Sequence, residues 1–164
     1  MRRWLRRDGK AGVPFLRALL YQLRTTLGPG YALECRMDGA FFRHDVLALL
    51  ARAGVEYAIK VPFHPWLGLR AQVQGTRRWT RVTDRIQCAE HELTVAAWGG
   101  PRYRIVIYGV YVQHETAKNF QLDLFDPNDG HYEYSAVVTN KALRGPALWA
   151  SWRGAACTKR CTGS

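Results

Sequence analysis

Asp38 follows a β-leaning run, Tyr31 to Arg36, and lies in the stretch Met37-Asp38-Gly39-Ala40 that turns into a helical pattern. Open α/β sheets place ligands and catalytic groups at such carboxyl-end junctions. A carboxylate there can hold a cation or handle a proton, and the same residue type also caps turns through local hydrogen bonds; position alone does not separate the two. His44-Asp45, His91-Glu92 and His114-Glu115 each put an imidazole beside an acid. General-base chemistry needs a nucleophile within hydrogen-bond reach, and the helical HExxH pattern, the GxSxG elbow and the glycine-rich phosphate loop are all missing. These histidines read as surface residues. Tyr103, Tyr108, Tyr111, Tyr132 and Tyr134 interleave with Arg102 and Arg104, a mixture shared by single-strand stacking surfaces and by ordinary half-buried strands.

The thiols offer less. Cys35 and Cys88 lie in apolar, strand-like stretches and read as small buried hydrophobes. Cys157 and Cys161 have no second pair and no following His, so a zinc site is not expected.

The elements that must position Asp38 follow from periodicity. Pro14, Phe15, Leu16, Leu19, Leu20, Leu23 and Leu27 recur at spacings of three and four, with Gly28 and Gly30 as the stop, which predicts an amphipathic helix. Phe42, Val46, Leu49, Leu50 and Ala53, ended by Gly54, predict a second one, and Tyr57 to Val61 a strand stopped by Pro62 and Pro65. Helix, strand, helix, strand is the signature of an α/β unit with parallel strands. Beyond Pro65 come the strand signals Arg77 to Thr83, Glu92 to Trp98, Tyr103 to Val112 and Tyr134 to Thr139, separated by Gly99-Gly100-Pro101 and by Asp126 to Gly130, which predicts an antiparallel region. Lys141 to Trp152 is expected as a helix with Asn140 as its cap, and Arg153 to Ser164 loses apolar periodicity.

A chain of 164 residues suits a single core, and 48% hydrophobic with 23% charged residues excludes wholesale disorder, collagen-like repeats and a coiled coil. The longest uncharged apolar run, Ile105 to Gln113, is about half the ~20 residues of a membrane span, and no secretory apolar region follows the basic start, so a cytoplasmic protein with no membrane partner is expected. The net charge of +11 favours polyanions, above all nucleic acid. Only Lys10, Lys60, Lys118, Lys141 and Lys159 are lysines; every other cation is Arg, whose planar fork pairs with phosphate in bidentate fashion.

The run Cys35-Arg36-Met37-Asp38-Gly39-Ala40-Phe41-Phe42, a helix, and Gly54-Val55-Glu56-Tyr57-Ala58-Ile59-Lys60 together resemble the second catalytic block of bacterial insertion-sequence DDE transposases. Tyr134-Ser135-Ala136-Val137-Val138-Thr139-Asn140 is similar to the strand by which that family returns from a β-rich insertion to its core. The resemblance covers roughly residues 8 to 152. It implies an α/β fold, a partial RNase H-like core with an antiparallel β-rich insertion: core at 1–62, insertion at 63–132, return strand and helix at 133–152, and an aberrant tail at 153–164. In the family three acids hold two Mg2+ ions, which stabilise the entering and leaving oxygens as DNA strands are cut and joined. The resemblance makes Asp38 the second of these acids and a metal ligand, and Arg36, Arg43, Lys60, Lys141 and Arg144 the DNA contacts.

The first acid has no counterpart, since Asp8 follows a basic stretch with no strand, and no Glu follows Glu133 to serve as the third. For permitted codons, a reading frame shifted at Ala156 turns Cys157 to Ser164 into a Glu-bearing helix similar to the family's, so the tail is expected to be a frameshift. The expectation is an inactive, DNA-binding transposase fragment that holds Mg2+ poorly. Its partners are the transposon ends and target DNA, with self-association or association with full-length transposase. The alternatives are a stand-alone basic nucleic-acid-binding module and a small metal-dependent nuclease, which would need Glu34, Asp45 or Glu56 beside Asp38. Missing first strands would leave the edge of the Tyr31 to Arg36 strand and one face of the first helix uncovered, an aggregation hazard.

Overall fold

The computed structural model describes residues 12–112 and 131–157, with side chains through Trp152. Asp8, the His114-Glu115 pair, the Asp126 to Gly130 turn, the Cys157 and Cys161 thiols and the chain beyond Cys157 lie outside what is described.

The first helix, α1 (Gly12–Leu27), leads to the strand β1 (Glu34–Met37). A 3₁₀ turn at Gly39–Phe41 then starts α2 (His44–Arg52), and β2 (Glu56–Val61) follows. β1 and β2 run parallel, with Glu34 opposite Glu56 and Met37 opposite Ile59, as a strand–helix–strand unit demands. A 3₁₀ turn at Pro65–Leu67 and a short helix, α3 (Leu69–Gly75), precede β3 (Thr80–Thr83), β4 (Ile86–Thr94), β5 (Arg102–Tyr111) and β6 (Tyr132–Thr139). The last helix is α4 (Gly145–Cys157). The six strands form one mixed sheet in the order β1-β2-β6-β5-β4-β3, antiparallel from β2 onward. The chain is thus of the α/β class.

Alternation along the strands sorts two cores. Tyr57, Ile59 and Val61, with Ile105, Ile107, Ala136 and Val138, face one way and meet Leu16 and Leu20 of α1, Val46, Leu47 and Leu50 of α2, and Leu67 and Leu69 around α3. Ala58, Cys88, Val106, Tyr108 and Val137 face the other way and meet Leu148 of α4. β5 is buried on both faces, and Ile105, Val106 and Ile107 expose nothing.

Three expectations are corrected. The strand expected at Glu92 to Trp98 lies earlier, as β4; Ala96–Trp98 is a 3₁₀ turn ended by Gly99 and Gly100, both at positive φ, which reverses the chain. Asn140 does not cap a helix. Its Oδ1 accepts the Tyr57 N–H at 2.7 Å and its Nδ2 donates to the Val55 carbonyl at 3.0 Å, so it locks the end of β6 to the start of β2. The segment Lys141 to Arg144 is not helical either. The Arg104 guanidinium binds its Lys141 and Leu143 carbonyls at 2.7 and 2.6 Å, and α4 starts only at Gly145, whose N–H donates to Glu90.

Among the described residues β1 is an edge strand of the sheet, and Phe15 of α1 is 69% exposed. Among the described residues no helix is long and apolar enough to cross a membrane.

Candidate functional site

Asp38 follows the carboxyl end of β1, exposed, in extended backbone. Its Oδ1 accepts the Ala40 N–H at 3.0 Å and caps the 3₁₀ turn, the local role that its residue type suits. The turn rests on β2: a Cβ built at Gly39 would stand 3.6 Å from the Lys60 carbonyl and from the Pro62 ring. Asp38 therefore opens onto the carboxyl end of the parallel pair.

The other acids near it in sequence are engaged elsewhere. Glu34 and Glu56 face each other at the start of β1 and β2, four strand residues or about 13 Å of rise from Asp38. They hold Lys141, whose ammonium lies 2.7 Å from Glu34 and 3.6 Å from Glu56 and whose side chain is 7% exposed. The Lys141 contact, together with Arg36, keeps the Glu34 carboxyl below its ordinary pKa against the upward pull of burial. Asp45 is bound by Arg43 at 2.6 Å, which lowers its pKa. Among the described residues no three His, Cys, Asp or Glu side chains converge on a point. The donors around Asp38 among the described residues do not form the shared carboxylate set that a pair of divalent cations about 4 Å apart requires.

The expected DNA contacts separate into two groups. Arg36 bonds Glu34 at 2.8 Å and the Ser151 hydroxyl of α4 at 3.1 Å, and Lys141 is buried, so both cations are compensated inside the fold. Arg43 bonds the Asp45 carboxylate through two nitrogens. Lys60 and Arg144 are exposed. Lys60 borders a cavity of about 190 Å³ beneath α4, lined also by Tyr108, Leu148, Trp149 and Trp152.

Arg144 opens onto a much larger cleft, about 1010 Å³, between α4, the end of α3, β3 and β4. Arg77 and Arg78 line it too, with His91 and Glu90. Burial lowers the His91 pKa, and its Nε2 pairs with the Thr76 hydroxyl at 2.9 Å. Glu90 is pulled upward by burial, but the Gly145 N–H and Arg104 hold it below its ordinary value. Arg77 and Arg78 did not stand out in the sequence because their meeting with Arg144 depends on β3 and β4 folding beneath α4. The adjacent Arg pair was the one available signal.

Cys88 is buried as expected, whereas Cys35 on the edge strand is half-buried; burial pushes both thiols up to about 11. The tyrosines divide: Tyr108 and Tyr134 are buried in opposite cores, whereas Tyr111 is exposed. His44 stacks on Trp98, with ring centroids 5.7 Å apart. In comparisons with known proteins, no family model, no curated protein and no solved structure matches this chain.

Proposed function

We propose that the chain carries the central part of an insertion-sequence DDE transposase catalytic domain, with a partial RNase H-like core, and that it binds DNA in the cytoplasm without cutting or joining strands. The observation that carries this reading is the setting of Asp38: an exposed carboxylate at the carboxyl end of a parallel strand pair, with β6 returning antiparallel on the inner strand. That order fits the resemblance from Arg36 to Lys60 and from Tyr134 to Asn140. Strand transfer by two-cation chemistry requires further acids at Asp38, and among the described residues no cluster of three metal-ligating side chains is found. DNA affinity rests on cations instead, with the exposed Arg77, Arg78, Arg144 and Lys60, which line clefts, as the proposed phosphate contacts.

The test is a titration of labelled duplex DNA with purified protein, with and without magnesium or manganese. The expected result is non-specific binding that weakens tenfold or more between about 50 and 200 mM salt, and no nicking. Metal-dependent nicking that disappears in Asp38→Ala would overturn the inactive assignment, and salt-independent binding would overturn the phosphate contacts. The Arg-lined cleft also favours a second reading, a stand-alone nucleic-acid-binding module that competes with an intact transposase. Saturable preference for terminal inverted repeats over random duplex distinguishes it.

A further inference from the structure

Trp66 is the most exposed tryptophan among the described residues, at 61%. It sits in the Pro65–Leu67 turn just past the carboxyl end of β2, and the buried Leu67 anchors that turn. The His64 ring stacks beside it, 5.8 Å between centroids and 15° between planes, which steadies the indole. Trp66 lines an open cleft of about 440 Å³ together with Phe42, Arg43, His44, Asp45 and Trp98. Trp98 is fixed in turn, 5.0 Å from Phe42, edge-on to Tyr103 at 5.7 Å and stacked with His44. Two indoles, each with an imidazole against it, thus border one volume that also holds the Arg43–Asp45 ion pair.

The cleft lies close in the chain to the Asp38 turn, which packs on the end of β2 from which the Trp66 turn departs. Trp66, a large indole left mostly in water, costs solvation unless a ligand covers it and offers a flat π-face, while the half-buried Trp98, packed by Phe42, His44 and Tyr103, forms the opposite border of the cleft. The ligand with matching faces in a protein of net charge +11 is a nucleobase on a phosphate backbone. In a duplex those faces are taken by neighbouring bases, so the fit is to unpaired nucleotides.

We propose that the Trp66–Trp98 cleft binds unpaired bases of a DNA strand by stacking. This rests on the DNA-binding reading above and adds a preference for single strands at a defined place. The test measures the anisotropy of a labelled oligo-dT and of a duplex of equal length at constant low salt, for the wild type, Trp66→Ala and Trp66→Phe. Trp66 is exposed, so the alanine variant should fold, and circular dichroism checks this. Loss of about tenfold in oligo-dT affinity in Trp66→Ala, most of it regained in Trp66→Phe, with duplex affinity unchanged, is the expected result. Unchanged oligo-dT affinity in Trp66→Ala, or an equal loss on both DNAs, overturns the stacking site while leaving DNA binding in place. A wild type that binds neither DNA removes the DNA-binding reading itself and this site with it.

Discussion

At the scale of single residues, Asp38 and Lys141 show two opposite settings for a charged side chain. Asp38 is exposed and spends one oxygen on the Ala40 N–H. Asp38→Asn keeps an acceptor there and should leave stability within about 0.5 kcal/mol, whereas Asp38→Ala should cost about 1 kcal/mol in urea denaturation, the ordinary value of a lost cap. If Asp38→Asn proves as destabilising as Asp38→Ala, the charge rather than the cap holds the turn. Lys141 is the reverse case, a buried ammonium between Glu34 and Glu56. Because the folded Glu34 pKa lies below its ordinary 4.5, the carboxylate's contribution is complete above that pH and is lost as the pH falls through the folded value. Glu34→Gln should therefore lower stability at pH 7 by about 1–2 kcal/mol, less than for a fully buried pair because Glu34 is a third exposed and Glu56 stays. It should also flatten the loss of stability below pH 4.5, as followed by thermal melts across pH; an acid limb identical to the wild type would show that the pair contributes nothing. The placement of Asp38 was legible from its junction. Lys141 was not, because residues 34, 56 and 141 meet only through strand register.

At the scale of elements, what was legible is what local periodicity dictates. α1, α2, β2, β5 and β6 carry apolar residues at helical or strand spacing, and they lie where that spacing puts them. α3 was invisible, being seven residues long with Leu69 and Val73 as its only aliphatic side chains larger than alanine. β4 was displaced in the reading because Glu90, His91 and Glu92 interrupt its apolar pattern, although its nine-residue pairing with β5 defines it in space. The start of α4 depends on tertiary bonds from Arg104 and Glu90 that no local pattern announces. Gly145 marks that start for a packing reason: a Cβ there would lie 2.5 Å from Cys88 Sγ and 3.2 Å from Val106 Cγ1. Gly145→Ala should cost about 1–3 kcal/mol in chemical denaturation, the range of an overpacked core. Cys88→Ala in the same chain removes the clashing sulfur, so the double variant should be more stable than the sum of the single losses. Additive losses would place the strain elsewhere.

At the scale of the whole molecule, the question is whether net charge alone or its arrangement binds DNA. A charge of +11 attracts phosphate from any direction, and substituting any arginine weakens that attraction. A cation that touches a phosphate displaces a condensed counterion, so losing it lowers the slope of log K against log salt by about 0.9 on duplex DNA. Arg77, Arg78 and Arg144 line one cleft beside α4, whereas Arg17 and Arg52 lie exposed on α1 and α2, against the opposite face of the sheet. The triple variant Arg77→Gln, Arg78→Gln and Arg144→Gln should therefore reduce the slope by roughly 2–3, while Arg17→Gln with Arg52→Gln should weaken binding slightly and leave the slope as it was. Anisotropy titrations of one duplex at four or five salt concentrations decide it. Equal slopes for the two variants would mean that the protein holds DNA through diffuse charge, and the cleft beside α4 would lose its role.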